Sequence, residues 1–141
     1  MGIFNKEWEK NTDCVLSWCD IRPLDYKTGK VFHADKAMWD TGATTTVIST
    51  RVVQQLQLQP FDITGISGIG GLTETNTYLV HISLPTGDTY TFLEVMESDF
   101  EDYDIIIGMD IIALGDFCFT NANNRSVFSF RFPAKEHVVL E

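Results

Sequence analysis

The chain has 141 residues, of which 44% are hydrophobic and 21% charged, and its formal net charge is −10. That length suits one domain with one core. The acidity argues against a nucleic-acid backbone or an anionic membrane as the main partner, which leaves peptides, proteins and small molecules.

The opening residues, MGIFNKEWEKNTD, are too polar for a signal peptide, and no apolar run reaches membrane-spanning length. A cytoplasmic protein is expected, or one exported within a longer precursor. Residues 1–12 read as a polar N-terminal segment, 13–133 as the folded domain and 134–141 as a C-terminal tail. Most of the chain reads as β. Residues 14–19 form a plausible strand, 23–29 are rich in turn formers, and 30–34 return as a second strand. Residues 36–39 run up to Asp40, and Thr46-Val47-Ile48 is short and β-branched. A helix is predicted over Thr50 to Leu56, with Ser49 as N-cap and Val52, Val53 and Leu56 on one face; Pro60 blocks its continuation.

Gly-rich residues 65–71 follow. Then Tyr78, Val80, Ile82 and Leu84 alternate onto one face, a turn falls at 85–88, and Thr89 to Met96 make another strand. Residues 97–104 are acidic and loop-like. Ile105-Ile106-Ile107-Gly108 has the character of a buried strand ending in glycine, and Asp110 is expected to cap a short helix through Leu114. A last hairpin joins residues 116–120 to 126–132, where Phe128, Phe130 and Phe132 share a face. That strand is equally a core strand or a dimer contact. Many short strands with two brief helices predict a closed or partly closed β barrel.

The three cysteines, Cys14, Cys19 and Cys118, are odd in number and lack a Cys-x-x-Cys, so they read as reduced core thiols. His33, His81 and His137 have no zinc-type spacing, and neither a metal nor a cofactor is expected. Chemistry gathers instead in three short strings. Asp40-Thr41-Gly42-Ala43 places a carboxylate at the end of an apolar segment, where it is expensive unless paired or functional. Gly68-Ile69-Gly70-Gly71 has no helix-opening Gly-x-Gly-x-x-Gly and no Gly-Lys-Ser/Thr, so it reads as a hairpin tip able to act as a lid rather than a nucleotide loop. Ile106-Ile107-Gly108 is, by itself, a core strand with a turn.

In this order the three strings resemble the retropepsin-like aspartic proteases, over roughly residues 30–114. Asp40-Thr41-Gly42-Ala43 resembles the catalytic string, residues 68–71 the flap tip, and Ile106-Ile107-Gly108 the element packed beside the catalytic loop. The following Met109-Asp110 is closer to the cellular and bacterial members than to the viral ones. Viral members usually pair an Asp directly after the Ala with an Arg directly after the Gly; Thr44 and Met109 stand at those places here. Trp39 is bulkier than the residue common before the Asp. The resemblance implies a mainly β, single-domain acid-protease barrel with one or two short helices. It also implies an aspartic endopeptidase in which two Asp40 carboxylates share a proton and activate water on a peptide or protein substrate. Since the sequence holds one Asp-Thr-Gly and no internal repeat, the second Asp40 would come from a homodimer partner. The other function weighed is a peptide-binding or dimerisation module of little or no activity on the same fold.

Overall fold

The structure, a computed structural model, describes residues 2–68 and 71–141. The described residues form ten strands: β1 (Gly2–Glu7), β2 (Leu16–Pro23), β3 (Phe32–Trp39), β4 (Val47–Ser49), β5 (Asp62–Gly68), β6 (Gly71–Ser83), β7 (Thr89–Ser98), β8 (Ile105–Ile107), β9 (Asp116–Thr120) and β10 (Val127–Phe132). Among the described residues there are two short α-helices, α1 (Thr50–Leu56) and α2 (Met109–Ile112).

Seven strands form one sheet in the order β2-β3-β8-β4-β7-β6-β5. A further pairing of β2 with β6 closes six of them into a barrel and leaves β5 outside, paired with β6 in a hairpin. The predicted mainly β closed barrel is therefore present. Inward-facing side chains fill it: Cys19, Ile21, Ile48, Val80, Ile82, Val95, Ile105 and Ile107 are fully buried. Burying one such Ile or Val contributes roughly 1.5–3 kcal/mol. Cys19 is one of the expected core thiols, and burial beside Asp20 and Asp104 pushes its thiol far up from the usual range. All three cysteines are free.

Helix α1 keeps its predicted bounds. The Ser49 side chain accepts a hydrogen bond from Val52 N–H, and Val52, Val53 and Leu56 turn onto the barrel. It ends at Gln57, whose φ of 53° lies in the left-handed region. Among the described residues, no helix is long and apolar enough to cross a membrane.

Several boundaries differ from expectation. Residues 30–34 and 36–39 are not two segments but parts of one strand, β3. A register shift against β2 between Ser17 and Cys19 inserts an extra residue there, so Asp35 and Lys36 are both exposed and the period-2 alternation breaks. The polar start contains strand β1, which pairs with β10 from Gly2↔Phe132 to Glu7↔Val127. Strand β7 runs on to Ser98 because Met96, Glu97 and Ser98 pair in parallel with Val47, Ile48 and Ser49 of β4; Thr75 Oγ1 also donates to Glu97 O (2.8 Å) and Tyr78 Oη to Glu97 Oε1 (2.8 Å), holding residues expected in a loop.

Strands β1, β10 and β9 form a separate sheet in that order. Strand β10 is central, and its Phe128 and Phe130 are fully buried within the chain. Strand β10 is thus a core strand, paired on both edges within the chain.

Candidate active site

Asp40 follows the last residue of β3, and the barrel fixes its position through the backbone. Strand β3 runs parallel to β8, with Trp39 opposite Ile107, and Asp40 N–H donates to Ile107 O at 2.8 Å. The loop then turns sharply. Ala43 N–H donates to Asp40 O (3.1 Å), and Gly42 N–H donates to Asp40 Oδ1 (2.8 Å). One carboxylate oxygen is thereby oriented by its own loop, and the side chain is left half-buried. Thr41 and Gly42 are exposed and Ala43 is half-buried.

Trp39 turns away from the loop into the core, at 5% exposure. Its ring lies against Phe130 (4.7 Å between centroids), Phe128 (5.1 Å) and Phe117 (6.4 Å), and its indole N–H donates to Ser17 Oγ at 2.9 Å. The unusual bulk before Asp40 fills the space between the barrel and the small sheet. It does not obstruct the face on which the carboxylate opens.

Ile106, Ile107 and Gly108 pack beside the loop. A Cβ on Gly108 would lie 2.8 Å from Ala43 O, 2.8 Å from the Thr45 carbonyl carbon and 2.9 Å from Thr45 O. Glycine is required there because the loop backbone comes this close. Met109 N–H donates to Ala43 O at 2.7 Å. Where viral members join these positions by an ion pair, a backbone hydrogen bond links the same two segments here.

Asp110 is not the cap of α2. The N-cap is Gly108, which has no side chain to cap with, and Asp110 lies inside the helix. Its carboxylate instead reaches the loop: Thr46 N–H donates to Oδ2 (2.9 Å) and Thr46 Oγ1 donates to Oδ1 (2.7 Å). Thr46 Oγ1 in turn accepts from Gly108 N–H (3.1 Å). Thr46 is fully buried, so Asp110 meets donors that would otherwise be orphaned. The sequence carries a faint sign of this, a Thr six positions after the Asp and an Asp two after the later Gly, which local capping rules read differently.

Asp104, the other acid near the Ile-Gly element, is held by Arg51 (2.7 Å) and accepts from Lys36 N–H (3.2 Å). Asp40, Thr41, Gly42, Ala43, Ile106, Ile107 and Gly108 are thus gathered at one end of the barrel. Gly68 and Gly71 pair at the far end of the β5–β6 hairpin; Ile69 and Gly70, the predicted tip, lie outside the described residues. A cavity of about 440 Å³ sits elsewhere, between Leu24, Leu56, Leu58, Phe61 and Leu79, and includes no residue of the Asp40 loop.

Known structures share this architecture. The chain superimposes on a retropepsin-like aspartic protease from Rickettsia conorii with a TM-score of 0.55 and 11% identity, covering 90% of this chain and 91% of that one. EIAV protease, solved with the inhibitor HBY-793, gives 0.53 and 24% identity over 72% of this chain and 86% of that one. Simian foamy virus (mac) protease gives 0.51 and 22% over 70% and 92%. At these identities the likeness is one of fold. No curated protein sequence matches the chain significantly. A family model described as aspartyl protease matches residues 28–111, more than half of the chain and the whole span from the start of β3 to α2. The chain therefore belongs to the aspartyl protease family, with a retropepsin-like fold.

Proposed function

We propose that the protein is an aspartic endopeptidase whose site is completed by a second copy of the chain. The observation that carries this reading is the state of Asp40. It is held by its own loop and keeps an open face, while the two acids flanking the Ile-Gly element are committed elsewhere, Asp104 to Arg51 and Asp110 to Thr46. A two-fold axis past Asp40 brings a second Asp40 to it.

The two carboxylates share one proton, because two like charges at contact distance do not both ionise readily. The ionised one takes a proton from a water molecule as the water oxygen bonds to the scissile carbonyl carbon. The protonated one gives its proton to the carbonyl oxygen, forming a neutral tetrahedral diol. The dyad stays singly protonated with the roles exchanged; in the collapse of the diol the newly protonated carboxyl gives its proton to the amine nitrogen as the C–N bond breaks, and the other carboxylate takes a proton from a diol hydroxyl, restoring the starting dyad. Thr41, exposed in one chain, hydrogen-bonds across the axis in this reading. Gly42 offers its carbonyl to an extended substrate backbone. Residues 68–71 close over the substrate and exclude water.

The test is cleavage of a peptide library by the wild-type protein and by Asp40→Asn, read by mass spectrometry from acidic to neutral pH. Specific cleavage lost in Asp40→Asn is expected. Tight peptide binding without turnover by a wild-type dimer would show a binding module instead, and cleavage that survives the substitution would remove Asp40 from the mechanism.

A further inference from the structure

We propose that the cavity between the β2–β3 turn and the root of the β5–β6 hairpin binds a small amphipathic carboxylate of the fatty-acid class, an aliphatic body with one anionic head. The site is separate from the Asp40 chemistry and does not depend on turnover.

The cavity has a volume of about 440 Å³, within the range of about 300–1,000 Å³ usual for small-molecule sites. Its walls are apolar. Leu24 comes from the turn after β2, Leu56 and Leu58 from the end of α1, Phe61 from the approach to β5, and Leu79 from β6. Among the described residues, none of 40–49 or 105–112 lines it, so it is not part of the cleft that opens at Asp40. Leu24 and Phe61 are 43% and 59% exposed. Large apolar side chains held open around a cavity mark a binding surface, and an apolar body entering it takes them out of water.

The backbone of these walls decides against a peptide. Each residue of a bound peptide brings an N–H and a C=O that need partners. Pro23 and Pro60 have no N–H to offer. Those of Gln57, Leu58 and Phe61 are spent on Gln54 O (3.2 Å), Val53 O (3.1 Å) and Thr77 O (2.7 Å). A body without a peptide backbone suits such walls.

One polar corner supplies the head-group contact. Among the described residues of the lining, Lys30 is the one cation, and it is half-buried. Its ammonium donates to Gln57 Oε1. An ammonium has three donors and an amide two, so Lys30 and Gln57 together retain donors for a carboxylate. The one acid of that lining, Asp25, serves its own turn, where Oδ1 accepts from Lys27 N–H at 2.9 Å. A charge-assisted bond to Lys30 fixes one end of the ligand and the leucines take the other. Residues 57–61 lead from α1 into β5, so an occupant bears on the root of the hairpin that carries residues 68–71.

The experiment uses the full chain with Asp40→Asn, which prevents self-digestion, and decanoate as the probe. Isothermal titration calorimetry reads the affinity and methyl NMR the place. Saturable binding at one site is expected, with shifts at the Leu24, Leu58 and Leu79 methyls and none at Ala43. Octanoate, two methylenes shorter, should bind roughly fifteenfold more weakly. Lys30→Met removes the charge and should weaken decanoate about fivefold with unchanged circular dichroism. Decyltrimethylammonium, the same body with the opposite head, should bind more weakly than decanoate, although the net charge of −10 favours a cation at long range. Uptake of decanoate without saturation, or shifts centred on Ala43, overturns the site. Equal decanoate affinity in Lys30→Met, or tighter binding of the cationic probe, overturns the carboxylate class. An acetylated Val-Val-Leu amide that shifts the three leucine methyls where decanoate does not overturns the proposal in favour of a peptide groove.

Discussion

The carboxylate of Asp110 ties α2 to the loop that follows Asp40, and its removal tests whether that tie holds the site together. In Asp110→Ala, Thr46 N–H and Thr46 Oγ1 each lose an acceptor, at 2.9 and 2.7 Å, in a residue with no exposed surface. Hydrogen bonds to a charged group contribute about 1.5–3 kcal/mol each. Asp110 is half-buried, so water can replace part of what is lost, and the lower end, about 3 kcal/mol for the pair, is the expected destabilisation. For a chain of this size that lowers Tm by roughly 10 °C. Asp110→Asn keeps one acceptor oxygen but aims an amide at the other donor, so about half the loss is expected. Thr46→Val should cost a similar amount, since it also leaves Gly108 N–H without its acceptor, and the double variant should fall short of the sum by about 1 kcal/mol or more, because both changes break the Thr46 Oγ1–Asp110 bond. Urea unfolding at fixed protein concentration, in the Asp40→Asn background, measures all four. A loss below 1 kcal/mol in Asp110→Ala, or strict additivity with Thr46→Val, would refute the tie.

Gly108→Ala forces a Cβ against three backbone atoms of residues 43–45, which no rotamer change relieves. Peptide cleavage should fall at least tenfold, with about 1–3 kcal/mol lost in unfolding. His33 Nδ1 lies 2.6 Å from Asp20 Oδ1, and this hydrogen bond, aided by the charges of Asp20 and Asp35, raises the imidazole above its usual 6.5. A raised folded value means the pair stabilises fully below about pH 6.5 and that this contribution fades as pH rises through the folded value. An NMR titration should show His33 returning toward 6.5 in Asp20→Asn. The Asp116 carboxyl is lowered by the Lys135 N–H first and by Arg131 next. Its contribution is therefore present above the usual carboxylate range and is lost as pH falls through the lowered value. Asp116→Asn at neutral pH should release residues 134–141 to limited proteolysis while the core remains protected.

What was legible in the sequence follows from how local its physics is. Helix α1 was read to the residue because its cap, its apolar face and its stop lie within a dozen positions. The Asp40 string was readable because acid, turn and glycine lie within four positions, and the Ile-Gly element because the backbone needs Gly108 where no other residue fits. Asp110 was misjudged because an acid before an apolar run is a good local cap, whereas its real partner, Thr46, lies 64 residues earlier. Strand β1 was missed because it is a half-buried edge. Its alternation is weak, with Phe4 alone packing on the core from within it, and its partner is at the other end of the chain. The bulk of Trp39 has its reason far along the chain, in the rings of Phe117, Phe128 and Phe130 that pack around it.

The pairing of β1 with β10 has a consequence in time. Bringing ends roughly 120 residues apart together carries a chain entropy of about 4 kcal/mol plus a constant, so this sheet forms late among the contacts of the fold. A ribosome adding roughly 5–20 residues per second leaves β1 without its partner for about 6–24 s. Strand β9 is made only shortly before β10 and completes no sheet without it. A half-made chain thus carries the Asp40 loop and the barrel strands around it while the small sheet is still unformed. The order of strands along the chain thus delays completion of this sheet until synthesis has passed β10.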